Sequence, residues 1–247
     1  LACFYKQIPV GHVEAGLRTY NIYSPYPEEF NRQAVSIISQ YNFAPTARAR
    51  DNLLHEGKRA ETIFVTGNTV IDAMRYTVGD GGFASSELKS IDFSKRVIAM
   101  TCHRRENYGE PMKNIFSAVR ELALEHPEIE IVYPVHLSPI VRNAANEHLA
   151  GLSNVHLIEP LDAMDMHRLM SASYMVMTDS GGIQEEAPAL GKPVLVLRKE
   201  TERPEAVAAG TVKLSGVDRD DILRDANELL RSDEAYERMA RAVNPYG

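Results

Sequence analysis

Tyr174-Met175-Val176-Met177-Thr178-Asp179-Ser180-Gly181-Gly182-Ile183-Gln184-Glu185-Glu186 is an apolar run that breaks at a hydroxyl and two glycines and then resumes with helix formers. Read as strand, turn and helix, it places backbone N–H groups that have no intrahelical acceptor just beyond a strand, where they suit a phosphate. Two carboxylates follow in the first turns of the helix, at the reach of ribose hydroxyls. The stretch reads as a seat for a nucleotide diphosphate. It is also one step of an α/β fold.

Outward from it the same step repeats. Apolar runs at 96–101, 129–135, 155–158, 174–178, 193–197 and 211–214 alternate with helical patterns near 111–125, 139–149, 162–172, 182–190 and 202–209. This order predicts a parallel sheet with helices on both faces. Val194-Leu195-Val196-Leu197 lacks the polar alternation of a half-solvated strand, as expected where both faces are buried. Ligands of such sheets bind beyond the carboxyl ends of the strands. Residues 101–106 and 180–182 both fall there, so two separated motifs should converge on one edge. Upstream, strands are expected near 8–13, 41–44 and 62–65, with helices near 27–40, 46–55 and 69–77. The glycines and serines of 79–86 mark a linker. The expected organisation is a partial amino-terminal domain over 1–78, a linker or loop over 79–94, and a carboxy-terminal nucleotide-binding domain over 95–247. A start at Leu1 and a turn-like end at Asn244-Pro245-Tyr246-Gly247 are what a chain continuing on both sides would show.

Composition bounds the chemistry. With 247 residues, 44% hydrophobic and 25% charged, the chain can bury one or two cores. A net charge of −7 opposes a nucleic-acid binder, which needs a basic face. Two cysteines, Cys3 and Cys102, are too few for a disulfide framework or a structural zinc site and suit a reducing cytosol. No apolar stretch reaches the length of a membrane span, and no metal, Walker or Gly-x-Gly-x-x-Gly motif stands out. The expectation is chemistry without metal or cofactor on a nucleotide-linked substrate.

Four clusters carry candidate groups. His12 and Glu14 lie two apart after the first strand and share a face, with Arg18 close enough in sequence to neutralise a phosphate or to pair with Glu14 in a structural ion pair. Pro27 opens a helix, and Glu28 and Glu29 complement its positive end whether or not they do anything else. Cys102-His103-Arg104-Arg105 follows a strand, where a histidine and arginines suit an anionic substrate, and His136 ends another strand. The remaining histidines, His167 among them, read as structural. In Glu200-Thr201-Glu202-Arg203-Pro204-Glu205, Thr201, Pro204 and Glu205 have helix-start explanations, whereas Arg203 opposes the dipole and so marks itself as a candidate substrate contact. Asp218 reads as the cap of a following helix with an acidic start.

Together HVEAGLRT (12–19), SPYPEEFNR (24–32), TGNTVIDA (66–73), TCHRREN (101–107), YPVHLSP (133–139), TDSGGIQEEAPALGKPVLVLR (178–198), TERPEAV (201–207) and NPYG (244–247) closely resemble the bacterial non-hydrolysing UDP-N-acetylglucosamine 2-epimerases, in unbroken order from residue 8 onward. The resemblance implies a GT-B fold, two Rossmann-like domains with parallel sheets facing a cleft, the amino-terminal one incomplete in this chain. It implies cytoplasmic interconversion of UDP-GlcNAc and UDP-ManNAc for surface polysaccharide, through elimination of UDP to 2-acetamidoglucal and its re-addition, in a homodimer. Carried over by motif, Glu14 and Glu28 are the acid/base carboxylates and His103 assists at the leaving diphosphate. Arg18, Ser180, Gly181 and Gly182 hold phosphates, Glu186 takes the ribose hydroxyls and Arg203 contacts the nucleotide. Leu157-Ile158-Glu159-Pro160-Leu161-Asp162 and SPYPEEFNR look like the Gram-positive branch, in some members of which UDP-GlcNAc is an allosteric activator; by that similarity Glu29, Arg104 and His136 belong to an activator pocket. The rival functions are a hydrolysing epimerase or GT-B glycosyltransferase, and a non-catalytic UDP-sugar sensor.

Overall fold

The computed structural model describes residues 1–79 and 81–247. Nine strands form two wholly parallel sheets among these residues, and the chain divides into two compact units. One comprises 1–71, 202–205 and 245–247; the other comprises 72–201 and 206–244. The stretch 79–94, expected as a linker, includes Asp80, which lies outside the described residues. The rest of it is part of the second unit: Ser85 caps a one-turn helix, Ser86–Lys89, and the backbone amides of Ala84 and Ser85 donate to the Asp165 carboxylate at 3.0 and 2.7 Å.

The first unit holds β1 (Gly11–Val13), β2 (Tyr41–Ala44) and β3 (Ile63–Val65) in that spatial order. The expected strand near 8–13 starts only at Gly11, and Ala2–Tyr5 forms one helical turn with no buried residue. Pro9 explains part of the delay, since it has no N–H to give a ladder. Helix Glu28–Ile38 joins β1 to β2, and helix Ala47–His55 joins β2 to β3. The latter begins at Thr46, whose Oγ1 accepts from the Ala49 amide at 3.1 Å. Its buried face, Ala49 and Leu53, packs with Ala15, Leu17, Ala44 and Ile63 as the unit's small core. Gly16 makes that packing possible: at φ +87° a Cβ would lie 2.1 Å from the Ala49 carbonyl oxygen.

The second unit is built on β4 (Arg96–Thr101), β5 (Ile129–Pro134), β6 (Val155–Ile158), β7 (Met175–Thr178), β8 (Val194–Val196) and β9 (Val212–Leu214). Their order across the sheet is β6-β5-β4-β7-β8-β9. The chain therefore moves outward from β4 to β6, crosses back, and moves outward again from β7. That reversal leaves a switch point between β4 and β7, where open α/β sheets bind ligands beyond the strand ends. Strands β4, β7 and β8 are buried almost throughout, as their uninterrupted apolar sequences require. Helices Glu110–Glu125, Pro139–Leu149 and Arg219–Arg231 supply one continuous core around Ile98, Phe116, Ile131 and Leu195. Asp218 stands at the N-cap of the last of these, as expected, but makes no side-chain cap bond; the acids that follow are ion-paired, Asp220 with Arg219 and Asp221 with Arg224. Among the described residues no helix is long and apolar enough to cross a membrane.

Candidate functional site

In the second unit, the two motifs expected to converge do so through Asp179, a residue with no distinguishing signal in the sequence. β4 and β7 are neighbours, with Thr101 registered on Thr178 and their hydroxyls 2.6 Å apart. The chain therefore leaves both strands side by side, and the next residue of β7, Asp179, is fully buried between the loops. Its Oδ2 accepts from the His103 and Arg104 amides at 2.8 and 2.7 Å and from the Asn107 side-chain amide at 3.1 Å. Asn107 also donates to the Leu197 carbonyl, and Arg198, 1% exposed, donates to Glu106 at 2.7 Å. The loop after β4 is thus fastened to the ends of β7 and β8.

That fastening presents His103. Its ring lies half-exposed, with Nε2 3.9 Å from Asp179 Oδ1, and stacks at 5.4 Å on the ring of His136 beyond β5. Burial lowers the His103 pKa from its ordinary value; Asp179 opposes this, while Arg104 and His136 reinforce it. Cys102 is fully buried, and burial, with the Asp179 carboxylate beside it, pushes its thiol well up, so it is no nucleophile.

The turn after Asp179 is held from within. Ser180 donates its amide to Thr178 Oγ1 at 2.9 Å, and its carbonyl accepts from Gln184. Thr201, read as a helix cap, instead donates to Gln184 Oε1 at 2.7 Å. Ser180 and Gly182 are half-buried, and helix Ile183–Ala189 begins directly after them. Glu186, one turn into that helix, has 16% of its side chain exposed. Its Oε1 is 3.0 Å from where a Cβ on Gly182 would stand, so the carboxylate lies over the glycine turn. On the other side its Oε2 is 3.5 Å from Nε2 of His167, a histidine that sequence context had marked as structural.

The first unit holds the carboxylates. Glu14 stands just past β1 with φ +63°, a left-handed conformation that is unusual for a residue with a side chain and typical of functional positions. Its carboxylate, 39% exposed, is 3.1 Å from Arg203 and 3.7 Å from Arg32. Arg203 is itself buried and also paired with Glu202 at 2.6 Å. The Glu14–Arg18 ion pair considered from spacing does not form. Arg18 has no exposed side-chain surface and donates to both Glu56 oxygens at 2.7 and 2.9 Å and to the Leu17 carbonyl. It ties the 14–18 loop to the end of helix Ala47–His55, which leaves its expected phosphate contact without support. Glu29 is likewise consumed: it is 1% exposed and accepts from the Thr19 and Tyr20 amides and from Gln33. That bonding fits loop closure rather than an activator contact. Glu28 is half-buried at the first position of its helix. Glu205, expected to serve only the helix dipole, accepts from Thr46 Oγ1 at 2.7 Å. Among the described residues no three His, Cys, Asp or Glu side chains are grouped as a metal site.

Comparison with known proteins gives these groups a context. The family model for UDP-N-acetylglucosamine 2-epimerase matches residues 1–247. The UDP-N-acetylglucosamine 2-epimerase of Bacillus subtilis is 55% identical over 247 residues, which are all of this chain and 64% of that protein. Among solved structures, S. aureus MnaA with UDP superposes with a TM-score of 0.94 at 51% identity, covering 100% of this chain and 67% of its own. The Neisseria meningitidis UDP-GlcNAc 2-epimerase bound to UDP-GlcNAc gives 0.93 at 50%, covering 100% and 68%. These likenesses bear out the expected fold class, α/β with parallel sheets of the GT-B type. The chain spans slightly less than two thirds of the length of the curated Bacillus relative. Matched from its first residue to its last by the family model, the chain belongs to the UDP-N-acetylglucosamine 2-epimerase family.

Proposed function

We propose that the full-length protein interconverts UDP-GlcNAc and UDP-ManNAc. The observation that carries this is Glu14, a carboxylate on a left-handed residue held by Arg203 and Arg32 and still partly open. A base at a sugar needs such a fixed, accessible oxygen. In the forward direction the C2 proton passes to a carboxylate, Glu14 or Glu28, while the C1–O bond breaks and its electron pair leaves with UDP, giving 2-acetamidoglucal. Return of UDP to C1 with protonation of the opposite face of C2 completes the exchange, with no net oxidation. His103, aimed by the Asp179 hydrogen bonds to its own and the next amide, assists the departing diphosphate. Ser180 and the amides of Gly181 and Gly182 receive the phosphates, and Glu186 the ribose hydroxyls. The bound ligands of the S. aureus and Neisseria relatives, UDP and UDP-GlcNAc, support this assignment.

The same reading takes the reaction to be cytoplasmic, in a homodimer, and to feed surface polysaccharide. Arg104 and His136 remain as groups for an activating second UDP-GlcNAc, an idea supported by the stack of His136 on His103. The test is NMR of UDP-GlcNAc in D2O with the full-length protein: deuterium should enter C2 of both epimers, and Glu14→Gln should abolish exchange while UDP still binds. Wild-type turnover by that variant removes Glu14 from the role. Release of free N-acetylmannosamine would identify a hydrolysing enzyme instead, and UDP binding without exchange would identify a sensor.

A further inference from the structure

Glu186 is boxed from two sides, and the second side is a histidine whose neighbours select one tautomer. His167, on helix Ala163–Ala172, is 6% exposed. Its Nδ1 is 2.7 Å from the hydroxyl of Thr77, the last residue of helix Thr69–Thr77. Thr77 has one hydroxyl proton and three polar neighbours around it, the imidazole nitrogen at 2.7 Å and the carbonyls of Ala73 and Met74 at 3.4 Å each. Either atom of the 2.7 Å pair can donate, and the carboxylate facing Nε2 decides between them: it only accepts, so the neutral ring carries its proton on Nε2 and Nδ1 accepts from Thr77. Burial lowers the pKa of His167 from its ordinary 6.5, which keeps the ring neutral at pH 7. The resulting Nε2–H faces Glu186 Oε2 at 3.5 Å. The alternative tautomer would set a lone pair against a carboxylate oxygen.

We infer that His167 is a positioning residue, which with Thr77 behind it orients the Glu186 carboxylate so that both its oxygens meet the ribose diol of the nucleotide. Oε1 lies over Gly182 and Oε2 against His167, so rotation about the last bond of Glu186 is restrained at both ends. The function of this arrangement is to select a ribonucleotide. A site whose largely covered oxygens are aimed at two hydroxyls discriminates against the analogue that lacks one, because an oriented acceptor loses its partner. This rests on the assignment of Glu186 to the ribose.

The experiment measures equilibrium binding of UDP and of 2′-deoxy-UDP to the full-length protein and takes their ratio, alongside the melting midpoint. His167→Leu should reduce the preference for UDP about tenfold, the low end of the value of one hydrogen bond to a charged group that is no longer held in place. His167→Gln carries an amide nitrogen near the Nε2 position and should keep the preference within about twofold of wild type. Thr77→Val, which keeps the shape and removes the hydroxyl, should reduce it about threefold and carries the test alone if His167→Leu does not fold. Equal loss of both affinities, with the ratio unchanged in His167→Leu and Thr77→Val, overturns the inference and leaves His167 a packing residue. Glu186→Gln separates the two levels. If it leaves the ratio unchanged, the ribose assignment fails and the inference with it; if it collapses the ratio while the His167 and Thr77 variants do not, only the inference fails.

Discussion

Replacing Asp179 with alanine tests the claim that one buried carboxylate builds the edge of the site. Its Oδ2 collects three donors, the amides of His103 and Arg104 and the Asn107 side chain, at 2.7 to 3.1 Å. Alanine strands all three. A buried donor left unmade costs about 1–3 kcal/mol, and the lower end applies here because His103 and Arg104 are half-buried and water can enter, so the expected loss is about 3 kcal/mol. For a domain of this size each kcal/mol lowers the melting midpoint by about 2–4 °C, giving a drop of about 6–12 °C. Asp179→Asn keeps an oxygen for the same donors and gives up only the charge assistance, so it should melt within about 4 °C of wild type. Differential scanning calorimetry on the full-length protein reads both. A midpoint for the alanine variant within about 2 °C of wild type, or an equal fall for both variants, would refute the reasoning, the second because it would make charge rather than donor satisfaction the decisive property.

Gly16→Ala should be far more damaging than an ordinary surface change, costing about 3 kcal/mol or more by chemical denaturation, because the new Cβ meets main chain at 2.1 Å and φ is +87°. Alkylation at pH 8 followed by peptide mapping should label exposed Cys3 and spare Cys102 until the protein is unfolded; rapid labelling of Cys102 would contradict its burial. Burial lowers the pKa values of His12, His103 and His167 from 6.5, so below that pH the folded chain binds fewer protons than the unfolded one. Their contribution is therefore fully present above about pH 6.5 and is lost as pH falls through the depressed folded values; melting midpoints should decline from pH 7.5 to 5, and His12→Asn should make that decline shallower.

Where a signal is local, the sequence by itself determined the outcome. The alternation of apolar runs with helical periods set the parallel α/β class, and the unbroken apolar character of Val194-Leu195-Val196 required a strand covered on both faces. The glycine turn after β7 and the basic loop after β4 were both readable as strand-end groups, because strand ends are marked by residues a few positions apart. Partners distant in sequence were not readable. Arg18 looked like a phosphate ligand or a mate for Glu14, four residues away, yet it pairs with Glu56, which the packing of helix Ala47–His55 brings to it. Glu14 in turn is held by Arg203, 189 residues along the chain, because residues 202–205 return to the first unit. Asp179 and His167 carry no local signal for the same reason: an acid after a strand and a histidine in a helix have no distinguishing pattern. Only the order of strands, which lays β7 beside β4, and the docking of one helix against another turn them into the groups that hold His103 and Glu186.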